Sequence, residues 1–108
     1  MRLEQVNSLL QTELANLIIR ELPTDNFLIT LTYVDTAPNL ASAKIGVSVL
    51  PEKYTGTALK LLKSHTSLFS KYLLKKSRLR KIPHFIWEID ATEKKASEIE
   101  EILNIIKE

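Results

Sequence analysis

The sequence predicts an α+β fold, a three-stranded sheet with helices packed on one face, in the order helix, strand, strand, helix, helix, strand, helix. Three observations predict it. Apolar residues recur every three or four positions near both ends and in the middle of the chain, the spacing of amphipathic helices. Three other stretches alternate apolar and polar residues, the period of a sheet with one buried face. Prolines and turn-forming residues punctuate the boundaries between the two patterns.

The first helix is expected from Leu3 to Leu22, where Leu3, Val6, Leu10, Leu14, Leu17 and Ile18 share a stripe and Pro23 ends it by lacking an N–H. The first strand follows from Phe27 to Asp35, with Ile29, Leu31 and Tyr33 alternating with Thr30 and Thr32. A turn at Asp35–Asn39 leads to a second strand from Ala41 to Leu50, with Ala43, Ile45, Val47 and Val49 inward. The short connection favours antiparallel pairing. Gly46 falls on the polar face, where it permits a bulge or a close backbone approach.

After Pro51 a helical pattern returns from Thr55 to Ser64, through Ala58, Leu61 and Leu62. Ser64, His65, Thr66 and Ser67 compete for backbone hydrogen bonds, so a break is expected there, with a further helix resuming at Leu68, Phe69, Tyr72 and Leu73. A third strand runs from His84 to Asp90, with Phe85, Trp87 and Ile89 on one face. A last helix is expected from Glu93 to Lys107, where Ile99, Ile102, Leu103 and Ile106 follow the i, i+3, i+4, i+7 rule. Without that last helix, this is the element order of a type II KH domain, a topological analogy.

The chain of 108 residues fits one domain, 1–108, and its 44% hydrophobic content is that of a globular protein. It has no cysteine, which excludes disulfides and thiolate metal sites and fits a reducing compartment. The opening residues lack the pattern of a secretory leader, and no apolar run approaches the roughly 20 residues that span a bilayer. A soluble, cytoplasmic protein is expected, with no membrane partner.

Charge is the most informative feature. The net charge is only +2, yet Lys53–Trp87 holds nine of the fifteen Lys and Arg residues and none of the thirteen acidic ones. A one-sign patch attracts polyanions, because neutralising phosphates releases condensed counterions. Lys63, Lys71, Lys75, Lys76, Arg78, Arg80 and Lys81 are therefore candidate phosphate-binding residues, set against the alternative of a merely solvated surface. Lys71 and Lys75 are one helical turn apart, and Arg78, Arg80 and Lys81 fan around Leu79 in a connector. His65, at the expected break, is a candidate RNA contact or a residue that caps or packs the turn. Phe85 and Trp87 read as core; Tyr54 and Tyr72 are candidate stacking platforms.

Nothing reads as a catalytic centre. Ser64, His65, Thr66 and Ser67 lack an ordered Ser-His-acid arrangement, Asp90 lacks an acid–base partner, and no Gly-rich phosphate loop accompanies them. His65 and His84 without a third ligand make poor metal candidates. The expectation is a non-enzyme with no cofactor, no metal and no small-molecule substrate.

The run Arg78-Leu79-Arg80-Lys81-Ile82-Pro83-His84-Phe85-Ile86-Trp87-Glu88-Ile89-Asp90 resembles the basic, Pro, alternating-apolar, Asp pattern of the ribosome-binding factor A family. Asn39-Leu40 with Ala43, the strand Lys44–Leu50 and Glu13-Leu14 in the first helix extend the likeness over nearly the whole chain. That family resembles a KH domain without its GxxG loop, and this chain has only Gly46 and Gly56. The family's Ala-x-Gly kink between the central helices falls here on His65-Thr66-Ser67, with both small residues replaced, and Ser70 stands where a basic residue is common.

The resemblance implies a ribosome assembly factor that binds the immature 30S subunit and its 16S rRNA and assists late maturation, including 5′-end processing. A monomer is expected. The alternative is another small ribosome- or RNA-associated α+β binding protein, such as a stress-related ribosome-binding factor. A third class is a protein-interaction domain that docks a partner through the acidic final helix.

Overall fold

The structure, a computed structural model, describes residues 2–90. The expected helix over 93–107 lies outside the described residues. Helix α1 spans Leu3–Glu21, strand β1 Leu28–Thr36, strand β2 Ser42–Leu50, helix α2 Thr55–Lys76 and strand β3 His84–Ile89; a single 3-10 turn, Glu52–Tyr54, precedes α2. The sheet order is β1-β2-β3, with β1 antiparallel and β3 parallel to β2. The parallel pair requires a crossover, which α2 supplies.

The expected α+β layering is present. Val6, Leu10, Leu14, Leu17 and Ile18 of α1 and Ala58, Leu62, Phe69 and Leu73 of α2 are buried. They share one core with Ala43, Ile45, Val47 and Val49 of the central strand and Phe85 and Trp87 of β3. Each such Leu, Ile, Val or Phe contributes about 1.5–3 kcal/mol by leaving water. Helix α1 ends one residue before its C-cap Leu22, as Pro23 requires. Asn7 ties α1 to the sheet, its Oδ1 accepting the Thr36 backbone N–H at 2.9 Å.

Two expectations are corrected. In β1 the alternation does not run unbroken: the register steps from Leu31 opposite Val47 to Tyr33 opposite Gly46, leaving Thr32 as an extra residue. This bulge reverses the phase of the strand. Ile29 faces the core before it; Val34 and Thr36 are buried after it. Tyr33 goes to the opposite face, where its ring lies over Gly46. A Cβ at Gly46 would stand 2.1 Å from Tyr33 Cε2, so only glycine fits beneath the ring. The Tyr33 hydroxyl donates to Glu88 Oε1 across the sheet. That bond, with burial adding to it, pushes the Tyr33 hydroxyl up to about 12.

The second correction concerns the expected break. Helix α2 is continuous from Thr55 to Lys76. The hydroxyls expected to interrupt it bond back into its own backbone: Ser64 Oγ donates to the Leu61 carbonyl and Thr66 Oγ1 to the Leu62 carbonyl, both at 2.8 Å. His65 Nδ1 lies 2.8 Å from the Leu61 carbonyl. Side chains that satisfy the i−3 and i−4 carbonyls leave the helical ladder intact. Thr66 also accepts the Trp87 indole N–H at 2.8 Å, which fastens the middle of α2 to β3. Phe69 and Phe85 meet the Trp87 ring edge-on, with centroids 6.4 and 5.9 Å apart.

Candidate nucleic-acid interface

The continuity of α2 decides where its charges point. At 3.6 residues per turn, the buried Ala58, Leu62, Phe69 and Leu73 define the inner side. Lys60, Lys63, Lys71 and Lys75 fall on the outer side, all exposed, and the row extends over about 22 Å. Exposed Ser64 and Ser67 occupy the middle of that row, and Leu74 lies beside its C-terminal end. No residue of α2 is acidic. Among the described residues, none of these lysines is ion-paired with a carboxylate; the ion pair present is Arg20–Glu21, on α1.

The connector after α2 extends the positive field. Ser77 closes the helix, its Oγ donating to the Leu73 carbonyl at 2.6 Å and accepting the Leu79 N–H at 3.2 Å. Leu79 and Ile82 pack against the core and Pro83 is buried, which leaves Arg78, Arg80 and Lys81 exposed between anchored neighbours. Lys75 and Lys76 also complement the negative end of the helix dipole.

Of the residues singled out by sequence, Lys63, Lys71 and Lys75 share the outer face, and Arg78, Arg80 and Lys81 follow it in the connector. Lys76 is exposed but is in phase with Phe69, about 100° round the helix from Lys75. His65 is half-buried on the flank nearest the core, tilted against Phe69 with ring centroids 6.1 Å apart. Lys60, which the sequence does not single out, also belongs to the row. Its seven-residue relation to Ser67 and eleven-residue relation to Lys71 become visible only when the helix is unbroken.

The aromatic residues are all engaged within the fold. Phe85 and Trp87 are core, as expected. Tyr54 stacks on Phe27 at 5.1 Å with Lys53 Nζ 5.2 Å from its centroid. Tyr72 is covered by the Arg20 guanidinium, 5.0 Å away. Neither tyrosine is the open platform that the sequence suggested. Among the described residues there is also no cluster of three or more His, Cys, Asp or Glu able to hold a metal, and no helix long and apolar enough to cross a membrane.

A three-stranded sheet backed by helices, with one unbroken cationic helix face, defines a small KH-like α+β protein. The family model of Ribosome-binding factor A matches residues 2–103. The chain is 30% identical over 110 residues to Ribosome-binding factor A of Clostridium botulinum, covering 99% of this chain and 92% of the relative. It is 34% identical over 105 residues to that of Prosthecochloris aestuarii, covering 94% and 86%. The chain therefore belongs to the ribosome-binding factor A family. The fold agrees: the crystal structure of ribosome-binding factor A from Thermus thermophilus superposes with a TM-score of 0.73 at 19% identity, covering 82% of this chain and 94% of that one.

Proposed function

We propose that this protein is a ribosome assembly factor that binds the immature small (30S) subunit through its 16S rRNA and assists late maturation, including 5′-end processing. The observation that carries the proposal is the outer face of α2, four exposed lysines with no carboxylate among them. Family membership supplies the ribosomal context. The contact surface is Lys60, Lys63, Lys71 and Lys75 with Arg78, Arg80 and Lys81, and Lys76 at its margin. His65 supports the helix flank beside it. The protein acts as a monomer in the cytoplasm and catalyses no covalent step. A rigid cationic face favours whichever rRNA conformation it binds best, and so shifts the population of precursor particles.

Crosslinking in cells, followed by mapping of the attached RNA, tests the reading. Enrichment on small-subunit precursor RNA that still carries an unprocessed 5′ end is expected. Enrichment on mature subunits alone would favour a stress-related ribosome-binding factor instead. Salt gives a second measure: about seven phosphate contacts make the logarithm of affinity fall with the logarithm of salt at a slope of about −6. Affinity indifferent to ionic strength would refute the cationic surface.

A further inference from the structure

Resting on the reading of α2 as an RNA-binding face, we propose that its ligand is the shallow minor groove of an A-form RNA duplex. Lys60 and Lys63 meet phosphates on one side of the groove, Lys71 and Lys75 meet phosphates on the other, and Ser64 and Ser67 face the 2′-hydroxyls between.

Three features of the molecule point there. The first is that every Phe, Tyr and Trp ring is engaged within the fold, so none lies open for bases to stack on. The chain has three Phe, three Tyr and one Trp, all among the described residues. Phe27 and Tyr54 stack on each other, Tyr72 lies under Arg20, and Tyr33 covers Gly46. Phe69, Phe85 and Trp87 are buried. Binders of single-stranded RNA gain about 1–3 kcal/mol per base from aromatic stacking. None of these seven rings is placed to provide it, and the exposed His84 ring lies at the start of β3, outside the row on α2.

The second feature is that no GXXG loop stands where a KH domain would clamp a single strand. A KH domain grips about four nucleotides with a GXXG loop. Here that part of the chain is helix, where Ser64, His65 and Thr66 bond to the carbonyls of the preceding turn. Of the two glycines, Gly56 is in the first turn of α2 and Gly46 is beneath Tyr33.

The third is the layout of the face itself. The two lysine pairs are centred about 17 Å apart along the helix, with the two small hydroxyl residues between them. Double-stranded RNA is recognised by its shape, through phosphates and 2′-hydroxyls across a wide, shallow minor groove. Serine is short enough to let the helix backbone approach the groove floor. Ser64 donates its proton to the Leu61 carbonyl and its oxygen lies 3.1 Å from His65 Nδ1, which leaves one of its two lone pairs to accept from a 2′-hydroxyl. Ser67 has no side-chain partner among the described residues and can donate or accept.

The test is equilibrium binding of the full chain to three probes at one salt concentration: a generic RNA duplex of about 16 base pairs, the DNA duplex of the same sequence, and one strand of that RNA. The RNA duplex should bind about tenfold tighter than either competitor. Lys63→Ala and Lys71→Ala should each weaken it. The double substitution Ser64→Ala with Ser67→Ala should bring the RNA and DNA duplexes to within about threefold while leaving the melting temperature unchanged. Equal binding of the two duplexes by the unaltered protein, or single-stranded RNA bound as tightly as duplex, overturns the minor-groove assignment and leaves the RNA-binding reading standing if the lysine substitutions still weaken binding. Lysine substitutions without effect on any probe overturn that reading as well.

Discussion

Replacing Gly46 with alanine should destabilise the protein by about 2–4 kcal/mol, and almost all of that cost should vanish when Tyr33 is also removed. The added Cβ would stand 2.1 Å from Cε2 and 2.4 Å from Cζ of Tyr33, so the ring must leave its place on the sheet. Overpacking of this kind costs about 1–3 kcal/mol. The displaced tyrosine also loses its bond to Glu88, which at this half-exposed site contributes about 1 kcal/mol net. In a domain of this size each kcal/mol lowers the melting temperature by about 4–8 °C, so a drop of at least about 8 °C is expected. With Tyr33→Ala as background, Gly46→Ala should be neutral to stabilising by about 0.5–1 kcal/mol, because a strand glycine itself costs about that much relative to alanine. Urea unfolding of the four proteins, followed by circular dichroism, gives the coupling energy directly. A coupling below about 0.5 kcal/mol would refute the claim that the ring dictates the glycine. RNA affinity should be unchanged throughout, since this face of the sheet is opposite the helices.

Further outcomes test other contacts. Tyr33 should titrate near 12, and Glu88→Gln should bring it back toward 10, read from tyrosinate absorbance. The sign follows from the raised value: above about pH 10 the unfolded chain releases this proton while the folded one keeps it. The stabilisation is therefore complete below pH 10 and is lost as the pH rises to 12, and Tyr33→Phe should flatten that decline. Thr66→Val keeps the shape of the side chain but strands the Trp87 indole N–H, at about 1–3 kcal/mol, with a shift in the emission of the only tryptophan as its signature. Ser77→Ala should cost about 0.5–1.5 kcal/mol and speed amide exchange at Leu79, whose N–H loses its acceptor. Each single Lys→Ala change on the outer face of α2 should make the salt slope shallower by about one unit.

The layers of this fold are legible in the sequence because burial repeats at the period of each element. Helix α1 and strand β2 bury the inner faces expected of them. The bulge at Thr32 is not legible, since an extra residue in one strand is defined only by the partner strand it fails to match. Gly46 announces a close approach but not what approaches it. The continuity of α2 is hidden for a different reason. Ser, Thr and His in a row carry the same local preferences whether their side chains compete with the helix or bond back into it, and it is Trp87, twenty-one residues from Thr66, that rewards the second arrangement. The same ambiguity conceals part of the site. Charge density alone marks the middle of the chain as cationic, but the angle between Lys60 and Lys71 is undefined across a break and fixed across an unbroken helix.

An unbroken helix makes the spacing of its lysines a property of chain length. Swapping one cation for another along α2 alters the strength of the grip and leaves its geometry alone. Inserting or deleting one residue between Thr66 and Phe69 is another matter. The Trp87 contact holds the N-terminal half in place, so the C-terminal half must turn by about 100° relative to it, carrying Lys71 and Lys75 off the row and Phe69 out of its pocket together. This segment should therefore tolerate substitution but not a change of length, because two distant sets of contacts must stay in phase.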